Sequence, residues 1–131
     1  MNFADATWIG AAGRLLIVFF FLAAGLGNLT PARIRDHVER LAEFGVPFPA
    51  AAFWFGMALQ FTGCALVLAG WHADVGVIFL IVFTVLANAL FHRFWTATDP
   101  ARRNTLRILL LNGIAIVGGL LLLLANVTRA G

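Results

Sequence analysis

Lysine, serine and tyrosine are absent from this chain of 131 residues, and cysteine occurs once. Each absence excludes something. With no serine, and with Cys64 inside an apolar run and no histidine beside it, nucleophilic catalysis has little support. One thiol makes neither an intrachain disulfide nor a CxxC redox pair. Charge is scarce too, at 11% of residues. All six carboxylates (Asp5, Asp36, Glu39, Glu43, Asp74, Asp99) fall at the ends of apolar runs or between them. That counts against an ion-coupled transporter or a proton pump working alone, which need a carboxylate within the bilayer. Three histidines without cysteine or carboxylate neighbours in ligand spacing give no metal site.

What the chain has instead is apolar surface. It is 62% hydrophobic, with a mean hydropathy of +0.94. A soluble domain of this size has too high a surface-to-volume ratio to hide so much. Net charge is only +3, and the pI of about 11.1 reflects nine arginines unaccompanied by lysine or tyrosine. The arginines read as topology determinants and lipid-phosphate contacts, and nucleic acid is not expected as a partner.

The pattern predicts an all-α fold: a single membrane domain over residues 1–131, a four-transmembrane-helix bundle with a short amphipathic interfacial helix between spans one and two. The spans are expected at about 8–29, 50–70, 75–92 and 106–126. The first is not read as a signal peptide, because its leader MNFAD is acidic and Arg14 interrupts it. The interfacial helix, about 31–44, has Thr30 as its cap and Pro31 in its first position, with Gly45 and Pro47 to end it. Its apolar stripe is Ile34, Val38 and Leu41. Spans two and three are joined by Trp71-His72-Ala73-Asp74, a tight turn in which Asp74 is expected to cap the third span. Thr98 or Asp99, followed by Pro100, starts the fourth helix.

The stretch from His92 to Gly113 joins two apolar runs and carries four arginines, Arg93, Arg102, Arg103 and Arg107. With Arg33, Arg35 and Arg40 in the first loop, seven arginines lie on one side, against Arg14 and Arg129 on the other. The positive-inside rule then puts loops one and three in the cytoplasm and both termini in the periplasm. Trp8 and Trp71 fall at the outer interface, Trp54 and Trp95 at the inner one, as an aromatic belt requires.

In lipid the polar residues are the informative ones. Asn28, Asn88, His92 and Asn112 lie in the cytoplasmic half on this layout, and Gln60 lies near the midplane. Asn88 and His92 are four apart and share a helix face. Together the five are the expected site for the head of a quinone or a similar lipid, held by amide and imidazole hydrogen bonds. The plainer account makes them interhelical glue, worth about 1 kcal/mol each. A haem between two histidines is disfavoured, since His72 lies on the opposite side and His37 in the interfacial helix. Arg14 is the one charge well inside a span; it is expected to be structural, snorkelling outward or paired with Asp74 or Asp5. Gly56, Gly63 and Gly118, with Ala65/Ala69 and Ala115/Gly119, would allow close helix approach.

Several stretches resemble the DoxX-like family of small four-helix integral membrane proteins. They are GRLLIVFFFLAAGLGN in the first span, the segment ending FGVPFP, ALQFTGCALVLAGW in the second span, and, most clearly, HRFWTATDPARRNTLRILLLNGIAIVGGLLLL. The resemblance implies a bacterial inner-membrane protein without autonomous catalysis, a small accessory subunit of a redox or quinone-linked assembly. It also implies that Arg14, Gln60 and Asn112 occupy recurrent polar positions. Where many relatives carry Lys after the first-span glycine this chain has Asn28, and where a second-span Glu is common it has Gln60. Both departures speak against proton- or ion-coupled chemistry. The rival expectation is a non-redox structural subunit that docks on a larger membrane protein complex; a permease is disfavoured for want of intramembrane charge.

Overall fold

The computed structural model describes residues 7–92 and 94–130, and no strand occurs among them. Five helices follow in order: α1 (Thr7–Gly27), α2 (Pro31–Glu43), α3 (Pro49–Ala69), α4 (Ala73–Phe91) and α5 (Pro100–Ala130), with a 3-10 turn at Phe94–Thr96 before the last. All but α2 are long and apolar enough to cross a bilayer. Hydrocarbon offers the backbone no water, so such segments must pair every N–H and C=O internally, as helices do. The protein is a four-span membrane bundle, and α2, at 13 residues, is an amphipathic helix between spans one and two.

Local chemistry sets the helix ends. Thr30 takes an extended conformation ahead of Pro31, and its hydroxyl accepts the Arg33 N–H at 3.3 Å. Helix α1 ends at Gly27, two residues before Leu29, where the Asn28 and Leu29 N–H groups tighten the chain onto the Gly25 and Leu26 carbonyl oxygens at 3.1 and 3.2 Å. Asp99 caps α5, accepting the Arg102 N–H at 3.1 Å. Asp74, expected to cap the third span, does not. Gly70 (φ 68°) and His72 (φ 50°) both turn left-handed, which closes the reversal early enough for α4 to begin at Ala73. Asp74 therefore sits inside the first turn, where its charge still meets the positive end of the helix dipole.

Helix α3 is the hub: it packs against α4 most extensively, and also against α1 and α2, while α5 lies along α4. The α3–α4 crossing is very close. A Cβ on Gly63 would stand 2.8 Å from the Gly76 carbonyl oxygen, and a Cβ on Gly76 equally near that of Gly63. Around this crossing Val18, Phe21, Cys64, Val67, Val77, Leu80, Leu120 and Leu123 form one core fed by all four spans. A second cluster of Leu41, Phe53 and Met57 fixes α2 to the start of α3, helped by Ile34 and Val38. Outward-facing side chains such as Leu16 (69% exposed) and Leu122 (75%) make the lipid surface.

Contact between α1 and α5 is slight. It is found where Gly10 comes near Asn126, at the end of the bundle away from the arginine-bearing connections. Toward the other end the two helices leave room between them.

Candidate functional site

That room is a cavity of about 460 Å³ in the arginine-rich half of the bundle. Its size falls within the range usual for small-molecule sites, roughly 300–1,000 Å³. Phenylalanines from three helices make much of its wall, among them Phe21, Phe53, Phe83 and Phe91. Asn28, Gln60, Asn88, His92 and Asn112 all border it. They come from the end of α1, from α3, from α4 and its cap, and from α5, so the five polar positions singled out in the sequence meet around one space.

Their roles differ. Gln60 is 1% exposed, and its Nε2 donates to the Phe21 carbonyl oxygen at 2.6 Å, tying α3 to α1. Its Oε1 is buried without a hydrogen-bond partner. Gly25 makes room for this amide: a Cβ there would stand 3.0 Å from Gln60 Nε2. Thr84 is spent on its own helix, donating to the Leu80 carbonyl oxygen at 2.7 Å. Asn88 and His92 join through Asn88 Oδ1 and His92 Nδ1 at 2.7 Å. The Asn88 side chain lies directly against Gly113 of α5. Asn28 is half-buried just past the end of α1, while Asn112 is exposed at the cavity's edge. Phe20, Phe55, Leu86 and Leu109, at the same border, are also exposed, so the cavity opens sideways to the lipid.

These bonds locate an Nδ1 proton on two histidines. A carbonyl oxygen only accepts, so His92 Nδ1 carries the proton toward Asn88, and the neutral ring keeps a lone pair on Nε2. His37 repeats the arrangement, its Nδ1–H donating to the Arg33 carbonyl oxygen at 2.7 Å. His37 borders the cavity as well, with its ring against Phe53 and Phe91 at centroid distances of 5.8 and 5.2 Å. The sequence reading left His37 on the interfacial helix and named neither it nor Leu41 as a site residue. The signal was present: His37 is three residues after Ile34 and four before Leu41, on the stripe that α2 turns inward.

Burial lowers the pKa of His92 below the ordinary imidazole value of 6.5. Below pH 6.5 the unfolded chain therefore takes up a proton that the folded chain refuses. This contribution to stability is complete above about pH 6.5 and is lost as pH falls from there toward the folded-state value. Detergent-unfolding midpoints of the wild type should fall across that window by more than those of His92→Phe. Nitrogen-15 NMR at pH 7 should find His92 neutral with its proton on Nδ1; a proton on Nε2 would contradict the assigned bond to Asn88.

Arg14 does not border the cavity. It is half-buried, and its Nε has no hydrogen-bond partner. Among the described residues the ion pair is Arg40–Asp36, at 3.3 Å, and no pair joins Arg14 to Asp74. Asp74 is exposed at the first turn of α4, whereas α1 packs mainly on α3; Asp5 lies outside the described residues. Cys64 is a packed core residue, 1% exposed.

Fold and site together define a small polytopic membrane protein with an apolar, laterally open cavity that carries a few amide and imidazole groups. The DoxX family model matches residues 10–93, and the chain belongs to the DoxX family. The match runs from α1 to the end of α4 and includes the first-span, FGVPFP and second-span stretches quoted above. The fourth-span stretch, where the likeness looked clearest, lies mostly beyond it. No curated protein and no solved structure matches the chain.

Proposed function

We propose that this protein holds the polar head of a quinone or similar lipid in the cavity, and that it serves as a small accessory subunit of a quinone-linked assembly in the bacterial inner membrane. The observation that carries this reading is the convergence of Asn28, Gln60, Asn88, His92 and Asn112 on one otherwise apolar space. Amides used only as interhelical glue have no reason to gather around a cavity. The lateral opening also suits a ligand that arrives from the lipid, with its tail left in the bilayer. Positive-inside places the cavity in the cytoplasmic half, beneath loops one and three, with both termini periplasmic.

The test is gentle purification, followed by extraction of bound lipids and mass spectrometry of co-purifying proteins. Quinone retained in stoichiometric amount, and lost from Gln60→Leu and Asn112→Leu, is the expected result. An extract free of quinone beside one tightly held protein would favour the structural docking subunit instead.

A further inference from the structure

Arg14 puts a positive charge inside a span, with no counter-charge paired to it among the described residues. It lies seven residues after Thr7, so its Cα is about 10 Å into the helix at about 1.5 Å per residue. Gly10, Arg14, Val18, Phe21 and Gly25 form one stripe, half-buried or buried along its length, that α1 turns toward the bundle. A snorkelling arginine lays its stem along lipid until the head reaches phosphate. Here Nε is enclosed without an acceptor, so the stem is packed against protein. The residue as a whole is only half-buried, which leaves its terminal nitrogens within reach of a neighbour. A charge held at this depth is costly until an opposite charge meets it.

We propose that a partner transmembrane helix docks along the seam between α1 and α5 and brings a carboxylate to Arg14. The seam opens where the charge lies. A Cβ on Gly10 would stand 3.7 Å from Asn126 Nδ2, and first and fourth spans run in opposite directions. One turn inward on each helix therefore puts Arg14 level with Leu122. Asn126 and Gly119, seven apart, share a face of α5. That face meets Gly10 at Asn126, yet a Cβ on Gly119 would have nothing within 4 Å, and nor would one on Gly13 beside Arg14. Such bare stretches let another backbone come close enough for a short acidic side chain to reach the guanidinium. The first and fourth spans are also the least covered of the four.

The guanidinium sets the chemistry of the partner. Its planar fork holds a carboxylate by two parallel bonds, and a carboxylate at this depth in another helix is just as costly unpaired. Each charge thus specifies the other. The inference deepens the accessory-subunit part of the reading above and needs nothing in the cavity, so its failure leaves the quinone test untouched.

The probe is a synthetic leucine–alanine transmembrane helix of about 20 residues, with one Glu about 10 Å from the end that inserts beside Arg14. A twin carries Gln there. Binding to the full-length protein in phosphatidylcholine liposomes is read by energy transfer between a dye on the peptide and one at the protein's C-terminus. The Glu peptide should bind at least about tenfold more tightly than the Gln peptide. Arg14→Gln should erase the difference, and Arg14→Glu should transfer the preference to a peptide with Arg at that position. Gly119→Leu keeps the charge but fills the seam, and should weaken the Glu peptide by a similar factor. Equal affinities of the two peptides for the wild type would overturn the proposal, as would a Glu preference that survives Arg14→Gln or Gly119→Leu. A gain in Glu-peptide affinity on Asp5→Asn would also overturn it, by making Asp5 the native counter-charge. So would one anionic phospholipid that native mass spectrometry finds held by the wild type and not by Arg14→Gln. The wild-type comparison decides the matter even where a variant folds poorly.

Discussion

Gly63→Val should leave little folded protein. The valine Cβ would enter within 2.8 Å of the Gly76 carbonyl oxygen and 3.0 Å of the Leu80 side chain. The nearest obstacle is backbone, which cannot swing aside, so α3 and α4 must separate along their whole crossing. That interface is the most extensive in the bundle. Overpacking usually costs about 1–3 kcal/mol, and a clash against a carbonyl belongs at the upper end. Unfolding in mixed micelles of rising dodecyl sulfate content, followed by circular dichroism, reads the loss directly. Gly118→Val on α5 is the control, because a Cβ there meets nothing within 4 Å. Gly63→Val with Gly76→Val should cost much less than the two singles added, since helices already forced apart have no second clash to relieve. Equal losses at Gly63 and Gly118 would show that the close crossing is not what holds these helices.

The contrast between those glycines also marks how far the sequence could be read. Gly63 and Gly118 look alike in the chain: each lies in an apolar run, and both were named as points of close approach. Only Gly63 is one, and Gly76, its partner, was not named. Helix rotation decides which glycine faces a neighbour, and in runs as uniformly apolar as these no polar stripe reveals the rotation. The spans themselves were legible because hydrophobic length needs no rotation to be known. The amphipathic helix was legible from its stripe, yet its destination was not, so His37 and Leu41 were left off the site. Asp74 was misplaced by the early close of the α3–α4 turn, which depends on His72 adopting a left-handed conformation uncommon outside glycine. The five polar site residues were easier. In an apolar background each polar side chain must find either a partner or an opening, and listing them nearly lists the polar part of the cavity wall.

Gly113→Ala should produce the reverse of Gly63→Val: modest damage to the fold and severe damage to the site. The new methyl would occupy the position of the Asn88 amide group. That obstacle is the far end of a flexible side chain, so the helices can stay where they are while Asn88 turns away. Asn88 then loses its bond to His92, an interaction worth about 1 kcal/mol net, and stability should fall by roughly that amount. The displaced amide has the cavity beside it, since Asn88 and Gly113 both border that space. On the proposed reading, quinone retention in the purified protein should therefore drop at least about tenfold. With its acceptor gone, His92 should no longer hold its proton on Nδ1, and nitrogen-15 NMR should record a mixture of the two neutral forms. Asn88→Ala combined with Gly113→Ala loses that same bond only once and should be about as stable as Gly113→Ala alone, with coupling of about 1 kcal/mol. It should not recover the ligand, because the amide that positions His92 is missing. A Gly113→Ala protein that keeps both its quinone and the Nδ1 proton of His92 would take the Asn88–His92 pair out of the site. Loss of the ligand with the fold intact would separate the site from the packing around it, which no substitution at Gln60 can do, because that side chain also ties α3 to α1.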